Sequence, residues 1–197
     1  MSTAPSHLLY LHGFRSSPKS FKAERLRSWL ATHHPELHWW CPQLPPSPRE
    51  AMGLVLNGIA DWPREHMAVV GSSLGGFYAS CVTEVTGCPA VVMNPAVNPA
   101  RDLAAYIGEQ TAFHDASQGF FFRAEFVSEL VELAPAQFTH PERTLAIIAK
   151  GDELLSWQEM AARYAGAQQL IIEGGDHALS DFDQHLPALL AHLNLNP

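Results

Sequence analysis

Cysteine is scarce in this chain. Only Cys41, Cys81 and Cys88 occur in 197 residues. The number is odd, no pair has metal-ligand spacing, and each lies in or beside an apolar stretch. They read as reduced core thiols in a reducing compartment, not as a disulfide framework. Basic charge is also short. Twelve Lys and Arg stand against twenty Asp and Glu, a net charge of −8. That balance argues against non-specific nucleic-acid binding and against adhesion to an anionic membrane. No apolar run approaches the roughly 20 residues that span a bilayer. Met1 to Ser6 carry neither a basic segment nor a long apolar one, so no secretory signal is visible and a cytoplasmic protein is expected. Repeats and low-complexity segments are missing. The remaining composition, 47% hydrophobic and 16% charged, is that of an ordinary globular chain, and one domain over residues 1–197 is expected.

The stretch Gly71-Ser72-Ser73-Leu74-Gly75 organises what is there. The apolar run Met67–Val70 before it reads as a buried strand. Phe77–Val82 after it reads as a helix. A strand, a tight turn with serine at its apex and a helix form a nucleophile elbow. The turn strains the serine backbone and pushes the hydroxyl out of the sheet. Gly71 and Gly75 flank it because a Cβ at either place would strike a neighbouring strand or helix. The helix start aims free N–H groups at an oxyanion formed beside Ser73. A Gly/Ser turn that merely joins strand to helix is the plainer alternative, and the rest of the chain weighs against it.

Leu8–Leu11, Leu37–Cys41, Ala90–Met93, Thr144–Ala149 and Gln168–Ile172 also read as strands. Leu8–Leu11 lacks the alternation of a half-exposed sheet, as expected when both faces are covered. Amphipathic helices are expected at Phe21–His33, Arg49–Ile59, about Trp157–Tyr164 and, capped by Asp181, up to about Leu193. Strand and helix alternate, so the sheet should be parallel with helices on both faces. From about residue 98 to 141 that rhythm breaks. Asp102–Ile107, a turn-like stretch around Asp115–Gly119, the run Phe120-Phe121-Phe122 and a helix from Arg123 to Leu133 read as a small helical cap over the carboxyl edge of the sheet.

A serine hydroxyl needs a base within hydrogen-bond reach, and the base needs an orienting acid. The elbow fold expects the order serine, acid, histidine. Asp152 and His177 each follow a strand end, in that order. Among eleven histidines, His177 is distinguished by this position; His185 and His192 fall inside the last helix. Glu153 stays open as the alternative acid, and Asp176 fits a turn role. Catalytic Ser73, His177 and Asp152 imply acyl transfer. The N–H groups of Leu74 and Phe14 are the candidate oxyanion donors, Phe14 because it follows a glycine just after the first strand. His12, on that loop, is expected to organise it by hydrogen bonding. His12, Arg15, Tyr78, Phe113 and Phe121 are candidate substrate-binding residues, the aromatics forming an apolar acyl site.

These stretches carry a resemblance. Leu9-Tyr10-Leu11-His12-Gly13-Phe14 with Ser16-Ser17-Pro18, Gly71 to Ala79, Val92 to Val97, and Gly151-Asp152-Glu153-Leu154-Leu155 with Gly174-Gly175-Asp176-His177 are similar to the α/β-hydrolase superfamily. Within it the chain resembles the small bacterial YqiA/YcfP-type esterases. The resemblance spans nearly the whole chain. It implies a three-layer α/β-hydrolase fold, trimmed of the first antiparallel strands, with a mostly parallel sheet of about six strands. It implies hydrolysis of short- to medium-chain carboxylic esters, a small-molecule acyl ester as partner, and neither cofactor nor metal. Ser156 departs from the similar proteins, which often place a carboxylate or a proline there. An acyl thioesterase or small amidase with the same triad is the alternative. A hydrolase-fold protein that binds a ligand or partner without turnover is the alternative of another class.

Overall fold

A computed structural model describes residues 4–196 apart from 114, 116 and 118. Its elements, in chain order, are β1 (His7–Leu11), α1 (Phe21–His33), β2 (His38–Trp40), α2 (Pro48–Gly58), β3 (Met67–Ser72), α3 (Leu74–Thr86), β4 (Ala90–Met93), α4 (Pro99–Leu103), β5 (Gly108–Thr111), β6 (Gly119–Phe122), α5 (Ala124–Leu133), β7 (Thr144–Ala149), α6 (Trp157–Arg163), β8 (Gln168–Ile172) and α7 (Phe182–His192). Six strands form one sheet in the order β2-β1-β3-β4-β7-β8, and every neighbouring pair is parallel. The chain leaves β1 toward β2 and then returns to the other side of β1 for β3. That reversal sets the carboxyl ends of β1 and β3 side by side, with Leu11 opposite Gly71. Open α/β sheets bind their ligands at such a switch point.

Side chains alternate across the strands, so each apolar run feeds two cores. Leu8, Tyr10, Val70, Val91, Met93, Leu145 and Ile147 pack with Leu26 and Leu30 of α1 and with Phe182, Leu186 and Leu189 of α7. Leu9, Leu11, Val69, Val92, Ala146 and Ile148 pack with Val55 of α2, Phe77 and Val82 of α3, Leu130 of α5 and Met160 of α6. Helices therefore cover both faces, and the fold is the three-layer α/β-hydrolase type. Each fully buried Leu or Ile contributes on the order of 2 kcal/mol. Helix α3 is buried from Leu74 through Thr83 and ends where Gly87 takes the left-handed conformation, at φ 71°.

Residues between β4 and β7 depart from a purely helical cap. Helices α4 and α5 are present, but β5 and β6 form an antiparallel hairpin between them, with Gly108 opposite Phe122 and Thr111 opposite Gly119. The run Phe120–Phe122 is thus a strand. Of the expected turn at 115–119, residues 116 and 118 lie outside the described residues. Helix α5 is fastened to the main body by Glu129. Its carboxylate is buried and accepts from Ser47 Oγ at 2.7 Å and from Arg49 N–H at 3.1 Å, at the start of α2. One cap differs from expectation: Asp181 precedes α7, but its side chain makes no capping bond and instead lies 3.0 Å from His185 Nε2. Among the described residues, no helix is long and apolar enough to cross a membrane.

Candidate active site

Ser73 stands between the last residue of β3 and the first of α3. Its backbone is at φ 56°, ψ −122°, a conformation that costs a non-glycine residue on the order of 1–3 kcal/mol. The surroundings hold it there. Ser73 N–H donates to Met93 O at 2.9 Å, and Ser73 O accepts from Gly76 N–H at 2.9 Å and Ala96 N–H at 3.0 Å. The flanking glycines are required sterically. A Cβ on Gly71 would stand 2.1 Å from Gly75 O, and one on Gly75 would stand 1.9 Å from Leu11 O. Both obstacles are backbone and cannot rotate away.

The loops after β7 and β8 meet at this serine. His177 Nε2 lies 3.0 Å from Ser73 Oγ, and His177 Nδ1 lies 2.7 Å from Asp152 Oδ2. The Asp152 side chain is fully buried. Its other oxygen accepts from Leu154 N–H at 2.9 Å and Leu155 N–H at 2.8 Å. Glu153 takes a different position: its Oε2 accepts from the backbone N–H of His177 at 2.9 Å. Asp176 folds onto its own loop, accepting from Ser180 N–H at 2.9 Å and Ser180 Oγ at 2.6 Å. Those bonds hold its carboxyl below the usual range.

Asn94 is a brace that sequence reasoning passed over. It is fully buried at the end of β4, with φ 40°. Its amide donates to Asp176 O at 2.9 Å and His177 O at 3.2 Å, while its oxygen accepts from Ala149 N–H at 2.8 Å. One side chain thus ties β4 to the two loops that carry Asp152 and His177. The available signal was a polar amide directly after an apolar strand, where burial demands partners.

The loop after β1 lies over the elbow. A Cβ on Gly13 would be 3.2 Å from Ser73 Cβ, so the backbone passes close to the serine before it reaches Phe14. Leu74 opens α3, and its N–H is one of those no helical carbonyl takes up. His12 is buried and occupied on both ring nitrogens. Nε2 accepts from Leu44 N–H at 3.1 Å, so Nδ1 carries the proton and donates to Gly13 O at 3.0 Å. Arg15 is at φ 58°. Its Nε donates to Thr111 O at 2.6 Å and its guanidinium stacks over Phe113 at 4.3 Å, while Phe113 N–H donates to Arg15 O at 2.8 Å. The Phe14 ring packs edge-on against Tyr106, Phe120 and Phe122.

A cavity of about 610 Å³ opens above Ser73, lined by His177, Arg15, Phe113, Leu103, Leu154 and Tyr106 among others. Tyr78, itself buried, lines a neighbouring hollow together with Phe120. Phe121 lines neither and is 56% exposed. Alternation along β6 explains this: Phe120 and Phe122 share one face and Phe121 takes the other. Among the described residues, no three His, Cys, Asp or Glu side chains are grouped to hold a metal ion.

Compared with known proteins, residues 7–194 match the model of the Uncharacterised protein family UPF0227. The chain belongs to this family. Its solved neighbours agree in fold. The UPF0227 chain is similar to mouse alpha/beta hydrolase domain-containing protein 10, with TM-score 0.69 and 16% identity over 98% of this chain and 92% of that one. It is similar to a structure from the metagenome-derived lipolytic enzymes LipS and LipT, with TM-score 0.67 and 16% identity over 99% and 96%. It is also similar to Est1E from Butyrivibrio proteoclasticus, with ferulic acid bound, at TM-score 0.66 and 14% identity over 98% and 88%. The TM-scores, over nearly the whole chain, show a shared α/β-hydrolase fold for the UPF0227 chain.

Proposed function

We propose that this chain is a serine esterase that hydrolyses short- to medium-chain carboxylic esters through Ser73, His177 and Asp152. The observation that carries the proposal is the unbroken line of hydrogen bonds from Ser73 Oγ through the imidazole to a buried carboxylate, 3.0 and 2.7 Å long, at the floor of a cavity of drug-like size. Asp152 accepts the Nδ1 proton of His177, which leaves Nε2 bare toward the serine. Nε2 takes the Ser73 proton as Oγ attacks the ester carbonyl. The N–H groups of Leu74 and Phe14 stabilise the tetrahedral oxyanion, each such donor being worth on the order of 3 kcal/mol. The imidazolium then protonates the departing alcohol. In the second half, His177 activates water, which releases the acid and restores Ser73.

Residues 98–141 act as the cap in this proposal. Phe14, Leu103, Leu154 and Tyr106 supply an apolar surface for the acyl group, and Phe113 covers its outer side. Similar solved structures include esterases and lipolytic enzymes, which favours an ester over other acyl donors. Thioesters and small amides use the same attack and are the second reading. A cytoplasmic location belongs to the same proposal, and the free Cys41, Cys81 and Cys88 support it.

The test combines nitrophenyl acetate and butyrate hydrolysis with fluorophosphonate labelling. Wild type turns over both esters and labels at one serine. Ser73→Ala keeps its thermal midpoint and loses both signals. Turnover retained in Ser73→Ala, or folded wild type that never labels, overturns the proposal and favours ligand binding without chemistry.

A further inference from the structure

Lys22 has no part in the line from Ser73 to Asp152, yet it reaches the same cavity. It is the second residue of α1, it is only partly exposed, and it lines the cavity beside Ser73 and His177. Its Nζ donates to Ala178 O, the carbonyl that follows the histidine. Helix α1 is otherwise remote from this loop in sequence, by 156 residues. The carbonyl it holds belongs to a loop in an uncommon conformation, with Gly174, Gly175 and Leu179 all at positive φ.

The charge also has a place. Three carboxylates gather around His177: Asp152 on its ring, Glu153 on its N–H and Asp176 just before it. Clustered carboxylates repel one another unless a cation stands near. Among the described residues two cations, Arg15 and Lys22, line the cavity, and Arg15 is spent on Thr111 and Phe113. Lys22 is the one that senses Asp176 and Asp152. Burial pushes its ammonium down to about 8, with those two carboxylates opposing the shift.

We infer that Lys22 is a positioning residue, which clamps the His177 loop onto α1 through the Ala178 carbonyl and supplies the counter-charge that keeps the surrounding carboxylates together. The inference rests on the triad assignment above. The other ionisable groups around Lys22 are fixed or committed. Tyr10 of β1 is buried and its phenol is pushed far up. On α1 itself, Glu24 pairs with Arg27 at 3.1 Å, and Arg25 pairs with Asp183 of α7 at 2.8 Å. Loss of the Lys22 proton therefore leaves Asp152, Glu153 and Asp176 without their nearest cavity-side cation. His177 then wanders from Ser73, and the reaction slows on the alkaline side.

The experiment measures the second-order rate of fluorophosphonate labelling, and kcat/KM on nitrophenyl butyrate, from about pH 6 to about pH 10 in wild type, Lys22→Met and Lys22→Arg. Wild type is expected to show an alkaline fall centred near 8. Lys22→Met should be slower by about tenfold or more at neutral pH, with that fall removed, as misplacement of a reacting group by a fraction of an ångström allows. Lys22→Arg stays charged throughout, so it should recover most of the neutral rate and push the fall to higher pH. A merely structural lysine would lower the rate without moving the profile. Lys22→Met at the wild-type rate, or an alkaline fall unchanged in Lys22→Arg, overturns the inference. Should Lys22→Met fail to fold, the Lys22→Arg profile decides alone. Wild type that does not label at all overturns the triad assignment, whereas labelling that is equal in wild type and Lys22→Met removes Lys22 only.

Discussion

Asp152→Asn separates the two acidic candidates that stand side by side in the chain. The substitution is conservative in shape. Its remaining carbonyl oxygen still accepts from Leu154 and Leu155 N–H, as Asp152 Oδ1 does at 2.9 and 2.8 Å, so the loop keeps its form. What changes is the atom facing His177. An NH₂ group replaces the oxygen 2.7 Å from Nδ1, and two donors cannot face each other. Nδ1 must become the acceptor, which moves the ring proton to Nε2. That proton then points at Ser73 Oγ, 3.0 Å away, and the imidazole can no longer take one from it. The imidazolium also loses its counter-charge. A wrong tautomer of this kind removes about 10⁴ in kcat, close to 5 kcal/mol of barrier. Glu153→Gln is the matched control, because an amide oxygen still accepts from His177 N–H; it should stay within about tenfold of wild type. The assay is kcat/KM on nitrophenyl butyrate with thermal midpoints taken in parallel. Asp152→Asn within about tenfold of wild type, or a larger loss in Glu153→Gln, would refute the assignment of the acid.

Four further substitutions test the scaffold. Gly75→Ala puts a Cβ 1.9 Å from the Leu11 carbonyl and should abolish soluble folded protein, whereas Gly53→Ala meets nothing within 4 Å inside α2 and should raise the thermal midpoint by about 2–4 °C, from about 1 kcal/mol of helix propensity. Glu129→Ala removes a buried acceptor of Ser47 and Arg49; about 2 kcal/mol should be lost, read as a midpoint lower by roughly 4–8 °C. Arg15→Ala frees the hairpin from the oxyanion loop and should lower kcat/KM by about tenfold, with little change in midpoint. Lys22 also sets a stability trend. The unfolded chain holds the Lys22 proton up to its ordinary 10.5, the folded chain only to about 8. The unfolded state therefore binds more protons in that window, and this residue's contribution to stability rises with pH across it. The difference in midpoint between wild type and Lys22→Met should grow in favour of wild type from pH 8 upward.

The sheet was legible because its information is local. Uninterrupted apolar runs are what a doubly covered parallel strand requires, and Met67–Val70 before Gly71 in β3, Ala90–Met93 before Asn94 in β4 and Leu145–Ala149 in β7 are such runs. The elbow was legible for the same reason, since Gly71, Ser73 and Gly75 meet a steric demand within five residues. The hairpin was not. Gly108–Thr111 shows no apolar alternation, and its partner Phe120–Phe122 reads as a strand only once the pairing is known. An isolated hairpin draws its stability from what it packs on, here Phe14 and Arg15 from a loop some hundred residues earlier.

The same distinction divides the site. The proposed triad of Ser73, Asp152 and His177 was legible because acyl-transfer chemistry restricts the residue types and the fold restricts their order. Asn94, Glu153 and Lys22 act on backbone groups, His177 O, His177 N–H and Ala178 O. Any side chain of suitable reach can serve a carbonyl or an N–H, so no motif marks them. Yet these three bonds converge on adjacent residues of one loop, from β4, from the loop after β7 and from α1. Such convergence is more than a surface loop needs to stay folded, and it is what a base must have if its ring is to stay within 3.0 Å of a hydroxyl through repeated proton transfers. In the proposed mechanism these loop bonds serve the base, and their removal should lower the rate before it lowers stability.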